Sequence, residues 1–354
     1  MLYQTKNQHG GDVYGGGITL DFSANTNPLG TPPGVLEAVC RALPRLHRYP
    51  DPYCRRLVQA IAGHEQVPAS YILCGNGAAD LIYTYCAALR PRTAVELAPT
   101  FVEYGAGLAQ VGCRVERYFL HQAQNFDLDE RFLSFLEEKK PEVVFLCNPN
   151  NPTGRLIPLP LLEQILQYCA AQGARLFLDE CFLDLTEDGV SAKSLLAAHP
   201  ELLILKAFTK SYGMAGIRLG YCLCADNALL RRMAAASPPW NVSTPAQSAG
   251  VAALAERDFL QRTLSLVRTE RRWLTDNLTA LGFWVCPSHA NYLLFRGPLG
   301  LREGLLQQGI AIRGCGNYNG LGDGWYRIAV RPHGENEALI TAIRQFCKEK
   351  ALWQ

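Results

Sequence analysis

Between residues 71 and 205 the chain repeats one pattern: a short apolar run, a polar turn, an amphipathic stretch, then the next apolar run. The apolar runs fall at 94–97, 143–146, 175–178 and 202–205, with a mixed one at 114–119. Runs this short, rich in Val, Leu, Ile and Phe, read as strands covered on both faces rather than as buried helices. Between them, 102–111, 128–139 and 159–172 space their apolar residues three and four apart, as helices with one buried face do. A cadence of roughly 30 residues per strand–helix unit builds an α/β fold with a mostly parallel sheet and helices on both sides. Ligand sites in such sheets gather at the carboxyl ends of the strands. The residues just after each apolar run are therefore where chemistry is expected.

After the run at 202–205 comes Lys206-Ala207-Phe208-Thr209-Lys210-Ser211-Tyr212-Gly213, with Arg218 shortly beyond. A lysine just past a core strand is partly stripped of water, which lowers its pKa from about 10.4 and makes it an amine nucleophile near neutral pH. Thr209 and Arg218 offer a hydroxyl and a fixed cation for a phosphate. Together they indicate pyridoxal phosphate bound covalently by Lys210, its phosphate on Thr209 and Arg218. Asp179, at the end of the run at 175–178, can pair with the protonated pyridine nitrogen; a helix N-cap is the plain alternative. Asn151, in Asn148-Pro149-Asn150-Asn151-Pro152, can donate to the ring's phenolic oxygen or simply serve the turn. Phe101, after Pro99-Thr100, can stack on the ring or pack in the core. Gly75-Asn76-Gly77-Ala78, between a strand at 71–73 and a helix at 80–89, can turn backbone N–H groups toward an anion or be an ordinary helix start.

The chain has 354 residues, 48% hydrophobic and 19% charged, enough for a large core and two domains. A formal net charge of +2 with no basic block argues against a nucleic-acid partner. No apolar run reaches membrane-spanning length, and the polar start lacks a secretory hydrophobic region. The 13 cysteines are scattered, several of them within apolar stretches, and fit buried thiols of a cytoplasmic protein better than disulfides or a metal site.

Outside the repeat, His9-Gly10-Gly11 and Gly15-Gly16-Gly17 precede a short strand at 18–22 and the polar loop Ser23-Ala24-Asn25-Thr26-Asn27-Pro28. This segment is either a flexible tail or an arm that closes over the site, bringing His9 and Asn27 to the ligand. The segment 245–281 reads as largely helical, a connector to strands at 283–286, 292–295, 310–313 and 326–330 with helices at 301–308 and 335–350. The expected division is an N-terminal arm (1–44) belonging partly to a small domain, a large domain (45–244), and a connector with the rest of the small domain (245–354).

The ordered set Gly75-Asn76-Gly77, Phe101, Asn151-Pro152-Thr153-Gly154, Asp179-Glu180, Thr209-Lys210 and Arg218 resembles the aspartate-aminotransferase-like pyridoxal phosphate enzymes of fold type I. The resemblance implies a large domain with a mostly parallel seven-stranded sheet plus a small α+β domain. Within that fold, Arg48-Tyr49-Pro50-Asp51 is similar to an element of the histidinol-phosphate aminotransferase branch. There a tyrosine from the neighbouring subunit touches the cofactor phosphate, which implies that Tyr49 does so in a homodimer with shared active sites. His9-Gly10-Gly11, Asp21-Phe22-Ser23-Ala24-Asn25, Phe101-Val102-Glu103-Tyr104-Gly105 and Ala290-Asn291-Tyr292 resemble the threonine-phosphate decarboxylases of cobalamin biosynthesis. Phe182 fits that group, since the aminotransferases usually carry tyrosine there, whereas Cys181, Gly314 and Gly316 depart from its pattern. The resemblance implies a small phosphorylated amino-acid substrate, with Arg331 on its α-carboxylate and Arg313 on its phosphate. The alternative is an aminotransferase for histidinol phosphate or a related amino acid.

Overall fold

The computed structural model describes residues 9–350. Its strands are β1 (Leu20–Asp21), β2 (Ile72–Gly75), β3 (Thr93–Ala98), β4 (Arg114–Phe119), β5 (Val143–Cys147), β6 (Arg175–Asp179), β7 (Leu202–Ala207) and β8 (Gly220–Cys224). Five further strands follow: β9 (Trp284–Val285), β10 (Tyr292–Arg296), β11 (Ile310–Ala311), β12 (Arg313–Gly314) and β13 (Trp325–Ala329). The helices are α1 (Pro33–Ala42), α2 (Arg55–Glu65), α3 (Ala78–Leu89), α4 (Glu103–Gln110), α5 (Arg131–Lys139) and α6 (Leu159–Gln172). They continue with α7 (Phe208–Ser211), α8 (Asn227–Ala236), α9 (Thr244–Ala253), α10 (Phe259–Ala280), α11 (Leu301–Gln307) and α12 (His333–Glu349).

Seven strands form one sheet in the order β2-β8-β7-β6-β5-β3-β4. Strands β3 to β7 pair in parallel, and β8 runs antiparallel between β7 and β2. Successive side chains feed opposite faces. Val144, Leu146, Leu176, Leu178 and Ile204 pack with α5 and α6 on one face. Val143, Phe145, Phe177, Leu203 and Leu205 pack with α3, α4 and α8 on the other. Both faces are covered, which is why these strands are apolar without alternation.

A second sheet, β12-β13-β10-β9, is antiparallel and packs under α10, α11 and α12 around Phe295, Ile328, Leu339 and Ile343. The N-terminal strand β1 crosses the molecule to pair in parallel with β11. Two expected elements come out differently. The run at 310–313 is two strands, because Ile310–Ala311 pairs with β1 whereas Arg313–Gly314 pairs with β13. The helical connector is broken after Leu254, where polar Glu256-Arg257-Asp258 separate α9 from α10. None of the 13 cysteines is joined in a disulfide, and among the described residues no His, Cys, Asp and Glu cluster is arranged to hold a metal. No helix among them is long and apolar enough to cross a membrane.

Candidate active site

Strands β5, β6 and β7 end side by side, so the turns that leave them open into one cavity of about 220 Å³. Its wall includes Asn151, Asp179, Lys210, Thr209, Arg218, Phe101 and Ala78, residues from five separate segments of the sequence. A larger cavity of about 1010 Å³ adjoins it and shares His9, Gly10, Ser23 and Arg313.

Lys210 lies in the single turn of α7 that leaves β7, with Nζ 5.3 Å from the centre of the Phe182 ring. Burial, helped by the Arg327 and Arg218 cations, pushes its amine down to about 8, against the opposing pull of Cys181 and Asp179. An amine so placed is half unprotonated near pH 8 and so has a nucleophilic fraction at neutral pH that an ordinary lysine lacks. Asp179 is a buried carboxylate, and both its donors are neutral: Tyr104 Oη at 2.6 Å and the Cys181 amide at 2.8 Å. Burial raises its pKa even though those hydrogen bonds oppose the rise. A carboxylate in this position is short of a cation, and a protonated pyridine nitrogen would supply one.

The phosphate end is built by backbone shape. Gly77 caps α3 with φ +89, and a Cβ there would stand 2.6 Å from the Arg218 guanidinium. Only glycine lets that guanidinium approach the helix start, where unpaired N–H groups favour an anion. Arg218 itself has φ +59, and Thr209 is buried beside it. Lys210, the unbalanced Asp179 and this cradle fit pyridoxal phosphate: covalent anchor, ring-nitrogen partner and phosphate seat.

The opposite wall corrects part of the expectation. Arg331 is not on the cavity: its guanidinium pairs with Glu335 at 3.0 Å and its amide donates to Asn336. The arginine that β13 itself brings to the cavity is Arg327, four residues earlier. It is buried, donates from Nη1 to Asn151 Oδ1 at 2.5 Å and from Nη2 to the Ser23 carbonyl at 2.9 Å. Its Nε has no partner, a buried donor left over for a ligand anion. The bond to Asn151 Oδ1 also leaves the Asn151 amide nitrogen as that side chain's donor toward the cavity.

Asn27 likewise serves the fold. Its Nδ2 donates to the Ser211 carbonyl and to Thr263 Oγ1, each at 2.8 Å, so it anchors the Lys210 turn from behind. Asn25 takes the expected place: it lines the cavity, is buried, and both polar atoms of its side chain lack partners. Gly75 and Asn76 do not line the cavity; Gly75 packs against Leu81, and the Asn76 amide donates to Asp80 Oδ2 at 2.9 Å. Tyr49 is 79% exposed and stacks on Trp240 at 4.5 Å, away from its own chain's cavity. Arg313 lines both cavities, with Nη2 on Asn317 Oδ1 at 2.6 Å and its guanidinium 5.3 Å from the Tyr318 ring centre. Tyr104 and Arg327 carried no assigned role in the sequence. Strand alternation gives no choice between Arg327 and Arg331, because 327, 329 and 331 share one parity; what separates them is that Arg327 lies within β13 whereas Arg331 lies past its end at Ala329.

Comparison with known proteins agrees with this geometry. Residues 18–346 match the model of the family described as aminotransferase class I and II. The chain is 41% identical over 331 residues to a threonine-phosphate decarboxylase of Salmonella typhimurium, covering 92% of this chain and 90% of that protein. Its structure is similar to the histidinol-phosphate aminotransferase of Clostridium acetobutylicum, with a TM-score of 0.87 at 28% identity over 93% of this chain and 99% of that one. It is similar also to the L-threonine-O-3-phosphate decarboxylase of Porphyromonas gingivalis, with a TM-score of 0.82 at 25% identity, again covering 93% and 99%.

Proposed function

The chain belongs to the class I and II aminotransferases, pyridoxal-phosphate enzymes of fold type I, and from that premise we propose that it decarboxylates L-threonine O-3-phosphate. The product is (R)-1-amino-2-propanol O-2-phosphate, a building block for the nucleotide loop of cobalamin. The observation that carries this reading is a pair of arginines, Arg327 and Arg313, in the wall of the Lys210 cavity. A substrate with an amine and two anionic ends matches one lysine and two guanidinium forks, each suited to carboxylate or phosphate oxygens. The 41% identity to a threonine-phosphate decarboxylase supports the same substrate.

When bound, pyridoxal phosphate withdraws electrons from the bond that breaks at the substrate's α-carbon. Asp179 would hold the proton of the ring nitrogen, and Tyr104 and the Cys181 amide keep that carboxylate aimed. Arg327 and Arg313 grip the two anionic ends and so fix the rotation of the α-carbon, which decides whether its carboxylate or its hydrogen is lost. For decarboxylation the Cα–carboxylate bond breaks, carbon dioxide leaves, and Lys210 returns a proton to the α-carbon. Phe182, a ring without a hydroxyl, has its centre 5.3 Å from the Lys210 amine and offers that proton no oxygen.

In a homodimer with shared sites, the exposed Tyr49 of each chain would complete the phosphate seat of the other. The test is carbon dioxide release from L-threonine O-phosphate by the pyridoxal-phosphate-loaded protein without any 2-oxo acid. Release matched by aminopropanol phosphate supports the reading. Its absence, with glutamate formed from histidinol phosphate and 2-oxoglutarate, favours the aminotransferase alternative.

A further inference from the structure

The N-terminal arm reaches the cavity through contacts that neither cofactor nor substrate binding uses. His9 Nε2 lies 2.8 Å from Glu103 Oε1, and the other carboxylate oxygen of Glu103 accepts from Tyr83 Oη at 2.6 Å. Glu103 opens α4, two residues past Phe101, and the His9 ring centre lies 5.9 Å from that of Phe101. An exposed ion pair is worth little, because two long side chains must be held in one arrangement. Here the carboxylate is already held: Tyr83, on α3, fixes it, and its side chain is only 18% exposed. The His9 and Tyr83 hydrogen bonds keep the Glu103 carboxyl below its usual range despite partial burial, so it is an anion at neutral pH.

The arm is seated just as closely on its other side. Gly10 passes so near Ser23 that a Cβ would stand 2.1 Å from the Ser23 carbonyl oxygen. The Gly11 amide donates to Ser23 Oγ at 2.8 Å, and the same Ser23 carbonyl accepts from Arg327 Nη2. The arm thus spans the mouth of the cavity, from the segment beside Arg327 to the helix beside Phe101. His9 and Gly10 line both the inner cavity and the larger one outside it, as does Arg313.

We propose that Glu103, fixed by Tyr83, is a positioning residue that latches the arm across the cavity and orients His9 toward the phosphate end of the substrate. The identity of that substrate rests on the proposed function; the latch does not. A histidine with one ring nitrogen on a carboxylate has its ring plane and second nitrogen set in direction, as when a carboxylate orients a metal-binding imidazole. Glu103 therefore acts through His9. Without it the arm still has its Ser23 contacts but lacks its far anchor.

The experiment compares the loaded parent with Glu103→Ala and with Gly10→Ala, which unseats the arm at its other end. Amide exchange in residues 9–12 should quicken in both variants. KM for L-threonine O-phosphate should rise about tenfold or more, as loss of a hydrogen bond to a charged group allows. In Glu103→Ala the value of kcat and the absorbance of the bound cofactor should stay near the parent's, and turnover of unphosphorylated L-threonine should not change; Gly10→Ala, whose Cβ meets the Ser23 carbonyl that holds Arg327, is read by amide exchange. A general structural defect would instead lower kcat and disturb the cofactor spectrum for every substrate, overturning the proposal. Exchange and KM equal to the parent's in both variants would also overturn it. A parent that releases no carbon dioxide sinks the reaction but not the latch, which the exchange rates judge on their own.

Discussion

Lys206 and Lys210 stand four residues apart and meet opposite surroundings. Burial weighs on both amines, but Asp184, Glu65 and Glu180 around Lys206 outweigh it and raise that pKa. Around Lys210, burial together with Arg327 and Arg218 brings the pKa down to about 8. Its value in the unfolded chain is about 10.4, so between roughly pH 8 and 10.4 the unfolded chain binds more protons than the folded one. The stability of the cofactor-free protein should therefore rise with pH across that window, and below it the whole penalty is present. Lys210→Met should lift the penalty, raising stability at pH 7 by on the order of 3 kcal/mol and flattening the rise. Denaturant midpoints of the two proteins at pH 7 and 10 measure it; parallel pH dependence would contradict the assignment. Arg327 and Arg331 differ as sharply. Arg327→Ala should raise KM for L-threonine O-phosphate by roughly 30-fold or more, because a buried charge pair is lost. Arg331→Ala, which removes a pair with Glu335 on the far side, should stay within about threefold.

At the scale of elements, the Lys210 turn is held from behind by a buried ionic cluster linking α2, β7 and β8. Glu65, the last residue of α2, accepts from Lys206 Nζ at 3.1 Å, Lys193 Nζ at 2.9 Å and Tyr221 Oη at 2.5 Å. Asp184 accepts from Lys206 at 3.2 Å and from Ser211 Oγ at 2.8 Å, beside Lys210. Burial would raise the Glu65 pKa, but Lys206, Tyr221 and Lys193 together bring it down to about 2. A depressed carboxylate contributes stability above its unfolded value of about 4.3, and the contribution is lost as pH falls from there toward 2. Glu65→Gln should cost about 3–5 kcal/mol at pH 7, since it leaves buried cations short of a partner. Urea midpoints should converge between variant and parent as the pH drops to 2–3. The elements themselves were legible where apolar spacing was strong: 159–172 matches α6 end to end. The pairing of 310–313 was not, because two residues per strand leave no periodicity to read and their partners lie far off in sequence.

At the scale of the molecule, β10 and β13 bring the second sheet to the turn after β5, where Tyr292 Oη donates to the Asn150 carbonyl and Arg327 to Asn151. The Ala329 amide donates to the Phe22 carbonyl and Arg327 to the Ser23 carbonyl, which ties the N-terminal segment to the second sheet. Tyr49 faces outward, so its proposed role needs a second chain. If it completes the partner's site, Lys210→Ala and Tyr49→Ala should each be inactive alone. Mixed and re-equilibrated in equal amounts, they should recover about a quarter of parent activity, because half the dimers are hybrids with one intact site. No recovery, with exchange verified by mass, would place Tyr49 outside the site.

The sequence by itself determined which residues meet at the ends of the strands. Lys210, Asp179, Asn151, Thr209 and Arg218 were readable because a parallel sheet forces the turns after its strands to one edge, so local position already implies a shared site. The tertiary structure alone decided what comes from the other side. Arg327 rather than Arg331, Asn25 rather than Asn27, and Tyr104 under Asp179 are choices between near neighbours whose directions depend on strand register and on which partner fills each hydrogen bond. Those choices are made across 75 to 184 residues of chain, where spacing along the sequence carries no information about who meets whom.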